Sequence, residues 1–180
     1  MSHYVISEYV TSGDIKRVRN KLNMTQEEFA DFARCTTQTV EYWESRDDKI
    51  TGPIVTLIEL LMRDDRLPHK LEIDDTDYKI RLFYMYHNMV CTIIDVDDIE
   101  RRVQIHNYID NPLYRAFGVN TEPSYEDYEE FLESRCFPRS RDKLKLELKR
   151  LDIPYYDPFM IIEKTEGRMA EDDFWIKIEN

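Results

Sequence analysis

The chain has 180 residues, of which 42% are apolar, 12% aromatic and 34% charged, and its net charge is −12. This length suits one ordinary domain or two small ones, and the composition excludes collagenous, low-complexity and wholly disordered chains. The negative balance means that a nucleic acid must be met by a local surface patch, because the average field repels phosphate. A large basic binding groove is therefore not expected.

The cysteines and the apolar segments indicate a cytoplasmic protein. Cys35, Cys91 and Cys136 form no CxxC pair, and we expect them to be reduced thiols. The first residues show no basic stretch followed by an apolar one, and the longest apolar segment, Pro53 to Met62, is interrupted by a threonine and a glutamate. We therefore expect neither secretion nor a membrane-spanning helix.

The hydrophobic period changes partway along the chain. Up to about residue 70 the pattern is helical, whereas from Tyr78 onward it is typical of strands. We predict two domains, residues 1–70 and 71–180. The first carries 10 basic and 12 acidic residues and the second 15 and 25, so the acidity belongs to the second domain.

The first domain is predicted to be all-α. Asp14 is expected to cap the first helix, with Ile15 and Val18 inward and Arg19 on the outer face. Thr25 and Glu28 fit a capping box that opens the second helix. Three further assignments follow the same rules: Thr36 caps the third helix, Val40 and Trp43 point inward from it, and a fourth helix begins at Pro53.

Residues 14 to 62 resemble the Xre-type helix-turn-helix of phage repressors and of HigA- and MqsA-type antitoxins. The likeness rests on TQEEFA at the second helix, TVEYWE in the third and TGP before the fourth. It implies binding to double-stranded operator DNA, with Gln26 on a phosphate at a helix N-terminus and Gln38 able to read adenine. The full set of implied DNA contacts is Gln26, Thr36, Thr37, Gln38, Glu41, Tyr42 and Arg46.

Two features depart from that family. Arg34 stands in the turn where the family usually has glycine, and a non-glycine residue at positive φ costs on the order of 1 kcal/mol. From Gly13 to Arg46 there are six basic and six acidic residues, so one module attracts phosphate weakly. We expect a homodimer on a palindromic operator, and a module used for dimerisation alone is the alternative.

The second domain is predicted to be small and α+β, with an antiparallel sheet, which makes the whole chain α+β. Its strands are expected at residues 78–86, 90–95, 103–107 and 174–178. Its helices are expected to begin at Ser124, at Ser140 and at Asp157, with Gly167 ending the last one.

An arginine cluster is the densest polar feature of the second domain, and it comprises Arg135, Arg139, Arg141 and, further along, Arg168. Guanidinium groups at this density suit an acidic partner. We predict that these side chains line a docking surface for a partner protein. Salt bridges within the domain are the alternative.

No catalytic or metal-binding set can be recognised. The spacing from Cys136 to Arg141 is one residue short of a phosphatase loop. Asp95, Asp97 and Asp98 favour a solvated turn over a divalent-ion site, since no Glu or His pair lies nearby. We expect no cofactor, no metal and no enzymatic activity; no metal-ligand spacing relates the histidines, His3, His69, His87 and His106.

Residues 78 to 178 are similar in pattern to the N-terminal subdomain of HipA-type toxin kinases and to HipS-like antitoxins. The shared pattern is a Phe-Leu helix, a Pro-Arg turn, a leucine-spaced helix and an Asp-Pro-capped helix that ends near glycine. It transfers no catalytic residue, because no kinase motif is present.

These features indicate a cytoplasmic, antitoxin-like repressor. Its first domain would bind operator DNA, and its second would bind a partner protein such as a HipA-like kinase. The alternative is a phage or mobile-element inhibitor of a nucleic-acid-processing enzyme, in which carboxylates stand in for phosphates. The basic residues from Arg135 to Arg150 argue against that alternative.

Overall fold

The computed structural model describes residues 4–179. The chain divides into two compact units, Met1–Ile73 and Asp74–Asn180. The first unit contains four α-helices, α1 (Ser12–Lys21), α2 (Gln26–Phe32), α3 (Thr37–Ser45) and α4 (Pro53–Arg63), followed by a 3-10 turn at His69–Leu71. The second unit combines a four-stranded sheet with three α-helices. The predicted fold class, α+β with a helical N-terminal part, is confirmed.

The start of α1 differs from the prediction. Thr11, not Asp14, is the N-cap, and its side chain accepts from the backbone N–H of Asp14. The Asp14 carboxylate in turn accepts from the backbone N–H of Thr11 at 2.9 Å. Asp14 therefore holds the N3 position of a capping box, where its carboxylate reaches back to the backbone N–H of the N-cap residue.

Apolar faces of all four helices meet in the core of the first unit. Ile15, Phe29, Val40 and Ile58 are completely buried there, one from each helix. A single antiparallel bridge between Val10 and Ile50 ties the segment before α1 to the segment before α4. Burial from every helix means that packing, rather than the propensity of such short helices, holds this unit together.

The sheet of the second unit has the strand order β3-β2-β1-β4 and is antiparallel throughout. Its strands are β1 (Ile80–Tyr86), β2 (Met89–Asp97), β3 (Arg102–Asn107) and β4 (Phe174–Glu179). The last strand, β4, pairs with the first, β1. The three helices lie between β3 and β4 in the chain, so the segment that contains them begins and ends in the same sheet.

The helices of the second unit are α5 (Tyr125–Ser134), α6 (Leu144–Leu151) and α7 (Pro158–Thr165), with a 3-10 turn at Pro112–Tyr114. Ser124 and Asp127 form the predicted capping box of α5, and Asp157 caps α7 as predicted. The predicted start of α6 at Ser140 is wrong, because Lys143 adopts a left-handed conformation and the helix begins after it.

The sheet buries residues on both faces. One face packs against the helices around Leu82, Ile94 and Ile176, each at most 1% exposed. The other face carries a smaller cluster with Phe83 and Ile93 at its centre. Neighbouring residues of a strand point to opposite faces, which explains how Leu82 and Phe83 serve different clusters.

Gly167 ends α7 in the predicted place. Glu166 and Gly167 both have positive φ, 55° and 58°. A Cβ atom on Gly167 would lie 3.3 Å from the Cβ of Arg135 and from the Cδ1 of Ile176. The glycine therefore serves both the left-handed backbone and the close packing of α5 against β4.

None of the described helices combines the length and the apolar character needed to cross a lipid bilayer. The three cysteines are free thiols.

Candidate functional site

Helices α2 and α3 both begin at their predicted N-caps. The Thr25 side chain accepts from the N–H of Glu28 at 3.2 Å, and the Glu28 carboxylate accepts from the N–H of Thr25 at 2.6 Å. At α3, the Thr36 hydroxyl oxygen accepts from the N–H of Thr39 at 3.2 Å. Both predicted caps are confirmed, and they set the point at which each helix of the pair begins.

The turn itself carries backbone strain at Arg34. This residue has φ 54°, in the left-handed region that favours glycine. The turn is closed by the N–H of Arg34, which donates to the Asp31 carbonyl, and by that of Cys35, which donates to the Ala30 carbonyl. The chain therefore keeps the tight turn and accepts an arginine in it, rather than bending differently.

Arg34→Gly is expected to stabilise the first unit by about 0.5 to 1 kcal/mol, because it removes the steric cost of a left-handed side chain. Urea unfolding followed by Trp43 fluorescence, in a Trp175→Phe background, measures the change. Arg17→Gly is the matched control, since Arg17 lies within α1 and glycine there should cost about 1 kcal/mol. If Arg34→Gly instead destabilises the first unit, the left-handed backbone at Arg34 is not strained.

α3 presents a polar face to solvent. Gln38, Glu41 and Tyr42 are exposed, with Tyr42 at 57%. Val40 is buried on the opposite side of the helix, as their spacing requires. Thr36 is exposed at the N-cap, and Thr37 is half-buried on the first turn. The exposed face thus carries most of the predicted base-reading side chains.

Arg46 lies directly after α3 and contacts its exposed face. The Arg46 guanidinium lies 4.9 Å from the centre of the Tyr42 ring, and it donates to Asp48 at 3.2 Å. The Nε atom of Arg46 is buried and, within residues 4–179, has no hydrogen-bond acceptor. A buried donor without an acceptor is unfavourable.

An ion pair between Arg19 and the buried Glu44 holds the far end of α3, so the prediction that Arg19 lies on the outer face of α1 is wrong. Glu44 is 5% exposed, and its carboxylate accepts from Nε and Nη2 of Arg19 at 2.7 and 3.0 Å. Burial alone would raise the pKa of Glu44, but the hydrogen bonds from Arg19 and Gln26 outweigh it and lower that pKa. The Arg19 guanidinium also donates to the Met24 carbonyl at 2.9 Å.

Gln26 belongs to the same cluster. Its side-chain amide donates to Glu44 Oε2 at 2.9 Å, where the resemblance implied a phosphate contact. The cluster of Arg19, Gln26 and Glu44 therefore links α1, the first residue of α2 and the last turn of α3. It fixes the position of the exposed face of α3 relative to the other two helices. The sequence contains a signal for it, because Glu44 lies four residues after buried Val40 and so shares its face.

In the second unit, Arg135 lies inside the fold and not on the surface where the sequence placed it. It is 7% exposed. Its guanidinium donates to Asp172 at 2.7 and 3.0 Å, to the Gly167 carbonyl at 3.0 Å and to the Phe174 carbonyl at 2.9 Å. The hydrogen bonds from Arg135 lower the pKa of Asp172. Arg135 therefore joins α5 to the entry of β4, which leaves it no part in docking.

The other three predicted docking arginines are exposed, and each has a carboxylate and an aromatic ring beside it. Arg139 pairs with Glu133, Arg168 with Glu166, and Arg141 more loosely with Glu147, at 2.6, 2.7 and 3.9 Å. The rings beneath them are Tyr156, Trp175 and Phe137. The three arginines remain accessible, and their role in docking stays a prediction.

The aspartate cluster has separate partners. Asp95 pairs with Arg81 at 2.7 Å, Asp97 accepts from two backbone N–H groups of the following turn, and Asp98 accepts from a tyrosine hydroxyl. Within residues 4–179 no three His, Cys, Asp or Glu residues lie together in a metal-binding group; His3 lies outside those residues. Burial raises the pKa of Cys136 to about 12, so its thiol stays protonated at neutral pH.

Comparison with known proteins assigns the first unit. The sequence model of the helix-turn-helix family matches residues 15–62, about a quarter of the chain. No curated protein and no solved structure matches the chain. The similarity of the second unit to HipA-type kinases stays a prediction. Residues 15–62 therefore match a helix-turn-helix domain of the Xre type, and this match supports a DNA-binding regulator of transcription.

Proposed function

We propose that the protein is an antitoxin-like repressor that binds its own operator as a homodimer through α3 and binds a partner protein through the second unit. The observation that carries the DNA half is the polar face of α3, held in place by a capped turn on one side and a buried ion pair on the other. A rigidly positioned helix of this kind suits entry into the major groove.

The side chains on that face have unused hydrogen-bonding groups. Gln38 makes no side-chain hydrogen bond within the described part of the chain, and its amide can pair with adenine. Arg46 is half-buried, and the exposed part of its guanidinium, which donates to Asp48, can also donate to a phosphate oxygen beside the groove. Glu41 can accept from cytosine N4 but repels phosphate, so it favours a base contact over a backbone contact.

The charge balance of the first unit favours binding as a homodimer. With six basic and six acidic residues from Gly13 to Arg46, one copy neutralises few phosphates, and two copies on a palindrome double the contacts.

The partner half of the proposal rests on different features. The pattern shared with HipA-type kinases and HipS-like antitoxins favours a toxin kinase as partner. Arg139, Arg141 and Arg168 remain exposed, and arginines over aromatic rings are common at protein interfaces.

An electrophoretic mobility shift with the DNA upstream of the gene tests the DNA half. Gln38→Ala combined with Tyr42→Ala should weaken binding at least tenfold, because each good base contact is worth about 1 to 3 kcal/mol. Gln104→Ala combined with Tyr155→Ala is the matched control, since both residues are exposed in the second unit.

Two outcomes would contradict the proposal. Wild-type protein that fails to shift this DNA at low salt would remove operator binding. A shift that the α3 variant leaves unchanged would place the DNA contact elsewhere on the molecule.

A further inference from the structure

A groove of about 670 Å³ lies beside α5 in the second unit, and carboxylates dominate its lining. Six acidic residues border it, whereas Arg139 is the one cationic residue in the described lining. The acidic set is Asp98, Glu126, Glu129, Glu130, Glu133 and Asp157.

Four of these carboxylates form a row along one helix. The glutamates at 126, 129, 130 and 133 follow the i, i+3, i+4, i+7 spacing that places side chains on one face of α5. At 1.5 Å per residue the row is about 10 Å long. Within residues 4–179, Glu126 and Glu130 form no ion pair, while Glu129 pairs with Arg101 and Glu133 with Arg139. The groove therefore keeps an uncompensated negative charge over a length of several side chains.

Tyr128 provides an independent indication of a ligand. It is 2% exposed and lines the groove, yet its hydroxyl makes no hydrogen bond within the described chain. The other two tyrosines of the groove are satisfied, since Tyr125 donates to Asp98 and Tyr156 to the Phe137 carbonyl, both at 2.9 Å. Burial, reinforced by Asp98, raises the pKa of Tyr128. A neutral hydroxyl oxygen is thus left facing the groove, where an N–H donor would satisfy it.

The aromatic rings of the groove already hold guanidinium groups. Arg139 lies 4.8 Å from the centre of the Tyr156 ring, and Arg101 lies 4.2 Å from that of Tyr125. Carboxylate, aromatic face and hydroxyl acceptor together match an arginine side chain, which offers planar stacking and several N–H donors.

We propose that this groove, here named the α5 groove, binds a basic segment of the partner protein, with an arginine entering beside Tyr128. The inference rests on the proposed function in one respect, that the second unit takes a protein partner. An arginine-lined surface would bind an acidic partner, whereas the α5 groove requires a partner segment that is basic. The length of the carboxylate row favours successive basic side chains of a peptide over a single small cation.

Fluorescence anisotropy of a labelled peptide in which arginine alternates with alanine tests the proposal on the full-length protein. Glu126→Gln combined with Glu130→Gln should weaken binding at least fivefold, because two unpaired carboxylates are lost. Asp110→Asn combined with Glu171→Gln makes the same change in net charge at exposed positions outside the groove, and should weaken binding less than twofold.

Tyr128→Phe isolates the hydroxyl. It breaks no hydrogen bond, so urea unfolding should match wild type while peptide binding weakens about threefold. Should this variant fail to fold, the two glutamate substitutions, which lie on the surface, carry the test by themselves.

Three results would overturn the α5 groove as a peptide site. Equal weakening by the groove and control pairs would show attraction to overall acidity only. Unchanged binding in a folded Tyr128→Phe protein would remove the arginine position. Spermine binding more tightly than the peptide, with the same dependence on Glu126 and Glu130, would assign the groove to a polyamine. Operator binding by the groove variants should be unchanged, so failure here is distinct from failure of the DNA proposal.

Discussion

Arg135→Met is expected to destabilise the second unit by about 3 kcal/mol. The change removes five N–H donors from a site that is 7% exposed. It takes the guanidinium donors away from two backbone carbonyls and from the Asp172 carboxylate, which keeps the N–H of Phe174. Removing one partner of a buried ion pair costs about 3 to 5 kcal/mol, and the low end applies because Asp172 stays partly hydrated.

Urea unfolding of the full chain measures this effect through Trp175, which lies on β4, in a Trp43→Phe background. Arg139→Met is the matched control, because Arg139 forms an exposed ion pair four residues away, and its loss should cost at most about 1 kcal/mol. Similar losses of unfolding free energy in the two variants would show that the burial of Arg135 adds nothing to the stability of the second unit.

Glu44→Ala is expected to destabilise the helix-turn-helix domain by about 3 kcal/mol. The substitution leaves the Arg19 guanidinium, whose side chain is 16% exposed, with the Met24 carbonyl as its remaining acceptor within residues 4–179, and an unpaired charge with little access to water is costly. Trp43 fluorescence in a Trp175→Phe background reports the unfolding. Glu41→Ala, an exposed position on the same helix, should cost less than about 0.5 kcal/mol.

The pair should also show in the pH dependence. The pKa of Glu44 is lowered in the folded state, whereas it is about 4.3 in an unfolded chain. Its contribution is therefore complete above that value and is lost as pH falls through the folded pKa. The stabilities of wild type and Glu44→Gln should begin to draw together as the pH falls below about 4.3, the unfolded value. A constant difference down to pH 3 would mean that the carboxylate charge is not what stabilises the domain.

Replacing both partners should cost less than replacing one. Arg19→Met combined with Glu44→Leu removes the charge and fills its space, and such exchanges are often close to neutral. Operator binding by this double variant would then show whether the ion pair serves orientation of α3 as well as stability.

Local signals explain most of what was predicted correctly. Thr25, Thr36, Ser124 and Asp157 cap helices because their side-chain oxygens reach backbone N–H groups two or three residues away. The two errors at helix starts, at Asp14 and at Ser140, are also local. At the first helix, the cap was assigned to Asp14 although Thr11 of the same capping box is the N-cap. At the sixth helix, the left-handed conformation of Lys143, which delays the start, was not predicted.

The sequence by itself determined the helix-turn-helix, its turn at Arg34, the polar face of α3 and the change to an antiparallel sheet, because these depend on residues at most a few positions apart. Only the tertiary structure decided which charges are buried. Arg19 meets Glu44 across 25 residues and Arg135 meets Asp172 across 37, and no local period encodes such a pairing. The α5 groove belongs to the same class, because Asp98, Tyr128 and Tyr156 converge only when the sheet and the helices pack.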